Sequence, residues 1–146
     1  MMNNSIDNLW FKYQGTQFLL TQRLSYAVPF AIVTAHNPLG SQLNPCQNRL
    51  LDRRLQRKIQ QFNSPYRCLI GAAPDLSHME KSWAVFIEKD QALALGREFK
   101  QLAIYYVDNG VLSLLACGEA PDKEVLIGEF GPRTVLVNEL PDLHDE

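Results

Sequence analysis

Three groups of residues in this chain have side chains and spacings that could do chemistry. The first runs Thr34-Ala35-His36-Asn37-Pro38-Leu39-Gly40 and on through Asn44-Pro45-Cys46-Gln47-Asn48. Thr34, His36, Asn37 and Asn48 supply donors and acceptors beside a helix start, whose unpaired N–H groups favour an anion. The same residues can serve the chain alone, with Asn37-Pro38 shaping a turn and Asn48 pinning the loop to the helix. It is not a Walker A phosphate loop: Gly-Lys-Ser/Thr is missing, and the single Gly40 cannot form a glycine-rich cradle.

The second group is His78-Met79-Glu80-Lys81-Ser82. Alternate residues of an extended chain share a face. His78 and Glu80 can therefore form an acid–base pair, or two ligands of a metal that takes a third from His36. Glu80 and Ser82 on one face can equally bind a ligand hydroxyl or backbone amides. Three histidines without HExxH spacing are a weak metal signal, and no metal site is assigned. No Gly-x-Ser-x-Gly context marks a serine nucleophile. The third group is Arg97 with Gln101. Arg97 can pair with Glu80 or Asp75, bind an anion, or simply complement a helix C-terminus; Gln101 can reach the same region.

The cysteines add little. Cys46 falls in the first turn of the expected helix, where a thiol pKa can drop, but no second catalytic group is tied to it. Cys68 and Cys117 lie in apolar runs and read as small hydrophobes.

These groups need elements to hold them. Strand formers on each side of Gln14-Gly15-Thr16 predict a hairpin over residues 9–13 and 17–21. Phe30 to Val33 reads as a buried strand. Asn44 as N-cap, Pro45 at the first helical position and Gln47 at the capping-box position start a helix over 45–62. Leu51, Leu55, Ile59 and Phe62 give it an apolar stripe. Arg49, Arg53, Arg54, Arg57 and Lys58 give it a basic face against the single acid Asp52: a solvated face, or a patch for an acidic partner.

Strands are expected at 67–72 and 82–87, then a short helix capped by Asp90 with Ala92, Leu95 and Phe99 on one face. Strands at 102–107 and 111–117 follow, joined through Asn109-Gly110, the strongest hairpin signal in the chain. Extra edge strands are suggested at 125–127 and 134–137, and 139–146 reads as a loose acidic tail. Trp10, Trp83, Tyr105 and Tyr106 read as core and sheet residues. The order is that of a split βαβ core. It predicts one domain over 1–146: an α/β (α+β) two-layer sandwich, its mixed, mostly antiparallel sheet carrying two helices on one face, with a ferredoxin-like core.

The segment Phe30-Ala31-Ile32-Val33-Thr34-Ala35-His36-Asn37-Pro38 resembles the F-I-T-A-x-N-P signature of a bacterial family known only as domain-of-unknown-function family 3293. Asn48, Glu80-Lys81-Ser82 and Leu95-Gly96-Arg97-Glu98-Phe99-Lys100-Gln101-Leu102-Ala103 follow in that family's order. Tyr13-Gln14-Gly15-Thr16 resembles its early Y-x-x-T piece. The likeness spans about residues 9–117. It implies that Thr34, Asn37, Pro38, Asn48, Glu80, Ser82, Arg97 and Gln101 are motif positions, with position 36 variable. It implies no activity and no cofactor.

A hydrophobic fraction of 46% and a charged fraction of 21% suit a folded domain. A net charge of -2 gives no global field toward nucleic acid or anionic membrane. Basic residues on a helix and aromatics on strands do not make a single-stranded nucleic-acid surface. No apolar run is long enough for a membrane helix and no signal peptide is evident, so a cytoplasmic setting is expected. Three readings result. The first is a binding domain for an anionic or nucleotide-like metabolite, built from Thr34, His36, Asn37, Asn48, Glu80, Ser82, Arg97 and Gln101. The second is a protein-interaction module acting through the basic helix 49–58. The third is a small hydrolase or transferase using Glu80 or His36.

Overall fold

The computed structural model describes residues 13–118 and 123–143. Strands β1 (Gln17–Leu20) and β2 (Phe30–Val33) precede helix α1 (Pro45–Gln60). Strands β3 (Tyr66–Ala72) and β4 (Met79–Val85) precede helix α2 (Lys89–Glu98). Then come β5 (Ala103–Asp108), β6 (Val111–Ala116), β7 (Glu124–Glu129) and β8 (Thr134–Leu136).

Local chemistry explains the helix starts. The Asn44 side chain accepts from the Gln47 N–H at 2.8 Å, and the Gln47 side chain accepts from the Asn44 N–H at 3.1 Å. That is the reciprocal capping box, with Pro45 at the first turn where its missing N–H does no harm. Helix α2 is capped one residue pair earlier than the sequence suggested. Glu88 is its N-cap, with Gln91 accepting from the Glu88 N–H at 3.1 Å, and Asp90 sits in the first turn. The Asn109-Gly110 turn has both residues at positive φ, 54° and 79°, as a two-residue hairpin of matching twist requires.

All eight strands form one sheet in the order β7-β6-β5-β2-β4-β3-β1-β8. Only the β1–β8 pair is parallel; the other neighbours run antiparallel. A flat sheet of this size would be about 34 Å wide. Yet the chain passes from the end of β7 at Glu129 to the start of β8 at Thr134, from one edge to the other, in a span of at most about 18 Å. Phe18 on β1 and Tyr105 on β5 tell the same story. Four strand spacings, about 19 Å, separate them along the sheet, and their ring centroids are 5.2 Å apart. The sheet is curled.

Alternation along the strands gives the curl two cores. Ala31 and Val33, Trp83 and Val85, Ile104 and Tyr106 face outward and pack with Leu55 and Ile59 of α1 and Ala92 and Leu95 of α2. Both helices thus cover the outer face. Phe18, Leu20, Phe30, Ile32, Leu69, Ala84, Val107 and Leu112 face inward around Phe130. Helix α2 lies so close that a Cβ on Gly96 would meet Cys117 Sγ at 2.7 Å and Ile104 Cγ2 at 2.8 Å. Glycine is there for close approach.

Against the hairpin expected over 9–21, among the described residues β1 has no hairpin partner from the segment before it. Tyr13 is helical and Gln14-Gly15 a turn, while both neighbours of β1 are supplied by β3 and β8. Residues 9–12, Trp10 among them, lie outside the described residues. The suggested edge strands are present as β7 and β8, one at each edge. Beyond them, Leu140 and Leu143 pack with Val137 and Met79 on Leu19, Ile70 and Ala72, on the outer face of β1 and β3. Residues 144–146 of the expected tail lie outside the described residues.

Candidate functional site

Inside the curl, beside the inward-facing core, is a cavity of about 270 Å³. This is a little below the usual range for drug-sized ligands, so it suits a small metabolite. The alternation of β4 brings His78, Glu80 and Ser82 to it together. Thr34 reaches it from the end of β2, Gln101 from the turn before β5, and Gly71 to Pro74 from the end of β3. Tyr13, Thr16, Phe18, Ile32, Ala103, Ile104, Tyr105 and Leu114 complete the described wall.

Of the eight residues singled out in the sequence, Thr34, Glu80, Ser82 and Gln101 line this cavity. The other four do not, for separate physical reasons. His36 is buried, its N–H donating to Thr34 Oγ1 at 3.1 Å and its carbonyl accepting from Gln101 Nε2 at 3.2 Å. It is not among the residues that line the cavity; among the described residues no three His, Cys, Asp or Glu side chains converge on a metal position. Arg97 donates from Nε to the Cys117 carbonyl at 2.8 Å. The expected pairing of Arg97 with Glu80 or Asp75 gives way to that contact, and Asp75 instead accepts from the Ser77 N–H at 3.0 Å.

Asn37 and Asn48 form the support of the site. Asn37 Oδ1 accepts from Leu43 N–H at 3.0 Å and from Asn48 Nδ2 at 3.1 Å, while Asn48 Oδ1 accepts from the Asn37 N–H at 3.0 Å. Asn37 has φ 50°, a left-handed conformation that asparagine tolerates better than most residues. Its Nδ2 then reaches Glu80 Oε2 at 3.4 Å. Asn37 thus ties the loop, α1 and the cavity carboxylate together. Replacing it by alanine removes three side-chain bonds and strains the backbone, so Asn37→Ala is expected to cost about 2–3 kcal/mol in chemical denaturation. Asn37→Gly should recover the backbone part of that loss.

Glu80 is the charged centre. Its Oε2 lies 3.1 Å from His78 Nε2, and its side chain is mostly buried while that of His78 is half exposed. An exposed imidazole oriented by a carboxylate can move a proton at the cavity mouth. The tyrosines feel the same charge. Burial, then the nearby Glu80 carboxylate, pushes the Tyr13 phenol from 10.0 up to about 12. Burial pushes Tyr105 upward as well, and its hydroxyl donates to Thr16 Oγ1 at 2.9 Å. A raised phenol pKa means that the folded state keeps its proton while the unfolded chain has lost it. Between about pH 10 and 12, Tyr13 should therefore stay protonated in the folded protein, and folding stability should fall as pH rises through that window. Phenolate absorbance followed against pH, with Tyr13→Phe as the reference, reads this directly.

Tyr13, Thr16, Phe18 and Tyr105 were missing from the sequence-derived site. The Tyr13-Gln14-Gly15-Thr16 likeness was the available signal for the first two. Tyr105 and Tyr106 look equivalent in sequence, but adjacent strand residues face opposite ways. Tyr106 donates to the Ile87 carbonyl at 3.0 Å beneath the helices, while Tyr105 enters the cavity. Arg133 holds the Tyr13–Thr16 turn from the β8 side, with Nη1 donating to the Gln14 carbonyl. Thiol chemistry has no footing at Cys117, which burial pushes up to about 11, or at Cys68, raised for the same reason.

Residues 33–104, just under half of the chain, match the family described as "Protein of unknown function (DUF3293)". The match runs from the last residue of β2 to the start of β5 and so contains the Thr34–Asn48 loop, Glu80, Ser82 and Gln101. No curated protein and no solved structure matches the chain.

Proposed function

For a chain whose residues 33–104 belong to a family of unassigned function, we propose a small-molecule binding domain whose ligand occupies the cavity inside the curled sheet. The observation that carries this is convergence. Thr34, Glu80, Ser82 and Gln101, distant in sequence, meet Tyr13, Thr16 and Tyr105 on one concave surface. Polar groups gathered in an otherwise apolar pocket are what a binding site needs. The anionic or nucleotide-like ligand expected from the sequence finds less support at this cavity, because the start of α1 is not in its described lining, Arg97 is engaged elsewhere and no Lys or Arg is among the described lining residues. As part of the same proposal, the β5-β2-β4-β3 segment is a ferredoxin-like core enlarged at both edges, the two helices form its second layer, and the protein is cytoplasmic.

A thermal-shift screen of amines, amino acids, sugars, nucleotides and divalent metals tests the reading. A ligand at about 100 times its Kd adds roughly 2.7 kcal/mol to the folded state. Shifts that vanish in Glu80→Gln or Thr34→Val support the pocket. A flat screen, or shifts indifferent to both variants, counts against it.

One observation favours a second reading, an interaction surface on α1. Asp52, the only acid of that helix, is buried, with Oδ2 2.9 Å from Lys81 Nζ. Arg53, Arg54 and Arg57 are exposed without it, so the outer face of α1 is more basic than its sequence suggests. An acidic partner would bind there with strong salt dependence. Charge reversal at Arg53 and Arg57 should then abolish binding to an acidic peptide while leaving the thermal-shift hits unchanged.

A further inference from the structure

The cavity carries more information than its size. Tyr105 lines it, with the Tyr13 ring 5.8 Å away at 78° and the Phe18 ring 5.2 Å away at 88°. These are edge-to-face contacts. Phe18 is fully buried beneath them, so the rings with partly exposed surface at the cavity are Tyr13 and Tyr105. The electron-rich face of an aromatic ring attracts a cation, most strongly where water is excluded. Glu80 is the only carboxylate in the same described wall, and the only fixed charge. The nearby cations are engaged by other groups. Lys81 faces outward onto Asp52 at 2.9 Å, Arg97 donates to the Cys117 carbonyl, and Arg133, close enough for its charge to act on Tyr105, is bonded to the Gln14 and Thr16 carbonyls.

We infer that the cavity takes a small organic ammonium ion, its positive head held between the Tyr13 and Tyr105 rings and the Glu80 carboxylate. This rests on the binding-pocket reading above and names the ligand class. The hydroxyls of Thr16, Thr34 and Ser82 and the Gln101 amide would hold a polar tail. His78 is the competitor for the carboxylate, its Nε2 being 3.1 Å from Glu80 Oε2. An anion meets Glu80 there and is repelled.

The test compares choline with its neutral isostere 3,3-dimethylbutan-1-ol, titrated into the full chain at about pH 8. Shape and apolar area are nearly the same, so the difference in affinity reports the charge. The readout is the amide chemical shifts of Gly71, Ala73, Glu80 and Gln101. Choline should bind at least about tenfold more tightly than the alcohol, and Glu80→Gln should remove most of that difference. The wild-type comparison stands even if the variant folds poorly. Equal or tighter binding of the alcohol at the same amides would overturn the ammonium assignment and leave the pocket reading intact. Silence from both compounds up to about 50 mM, with an anion shifting those amides instead, would do the same. Silence from both with a flat thermal-shift screen would remove the pocket and the assignment together.

Discussion

Replacing Phe130 by alanine should cost about 4 kcal/mol of folding stability and loosen the curl that encloses the cavity. Phe130 sits in the short turn between β7 and β8 and is 1% exposed. Its ring packs against Phe18 of β1 at 5.2 Å, Phe30 of β2 at 5.6 Å and Tyr26 at 6.1 Å. It therefore fills the inner core where the two sheet edges approach. Removing it leaves a void that those rings cannot collapse into without flattening the sheet. Chemical denaturation gives the cost, and ligand affinity should fall with it because Phe18 also forms a wall of the cavity. Phe130→Leu should lose much less. A cost under about 1 kcal/mol for the alanine variant would mean that the turn does not clamp the sheet.

The second large effect is expected at Lys81, on the opposite face of β4 from Glu80. Asp52 is buried in α1, with its Oδ2 against Lys81 Nζ at 2.9 Å and its Oδ1 accepting from Trp83 Nε1 at 2.8 Å. The two partners are not equivalent: the Asp52 side chain is 3% exposed and that of Lys81 is 27% exposed. Lys81→Met strands a buried carboxylate and should cost about 3–5 kcal/mol. Asp52→Asn leaves a lysine that can turn to water and keeps an oxygen for the Trp83 N–H. It should cost about 1–2 kcal/mol. The double variant should recover part of the larger loss, and a double-mutant cycle measures how much. Equal costs for the two single variants would contradict the asymmetry in burial.

These two clusters also show how far the sequence could be read. Local signals were legible wherever one short stretch decides the matter. The Asn44-Pro45-Gln47 cap started α1 at Pro45, and Asn109-Gly110 set the β5–β6 hairpin. The His78–Glu80–Ser82 alternation also predicted that these side chains share a face, and all three line the cavity. What was not legible depends on the curl. Nothing near Phe130 says that it will meet Phe18, since that contact requires eight strands to wrap. Tyr13 was assigned to a hairpin because Leu9 to Leu20 has strand-like composition, whereas β1 finds its neighbours in β3 and β8, far along the chain. Asp52 looked like the sole acid on a basic face, but pairing with Lys81 and Trp83 draws it inward.

Thr34, Asn37 and Asn48 illustrate a further distinction. The sequence presented them as one polar cluster, and the structure divides their work. Thr34 both lines the cavity and donates from Oγ1 to the Lys81 carbonyl at 2.8 Å. The two asparagines spend their side chains on one another, on the loop and on Glu80. A motif position can therefore matter to a site without touching its ligand.

The most direct test of the central claim, that the cavity inside the curl is where this protein binds its ligand, is amide chemical-shift mapping with the best thermal-shift hit. Perturbations concentrated at Gly71, Ala73, Glu80, Ser82 and Gln101, and lost in Glu80→Gln, are the predicted result. Perturbations confined to Arg53, Arg54 and Arg57 on the outer face of α1, with the cavity amides unmoved, would contradict it and transfer the function to the basic helix.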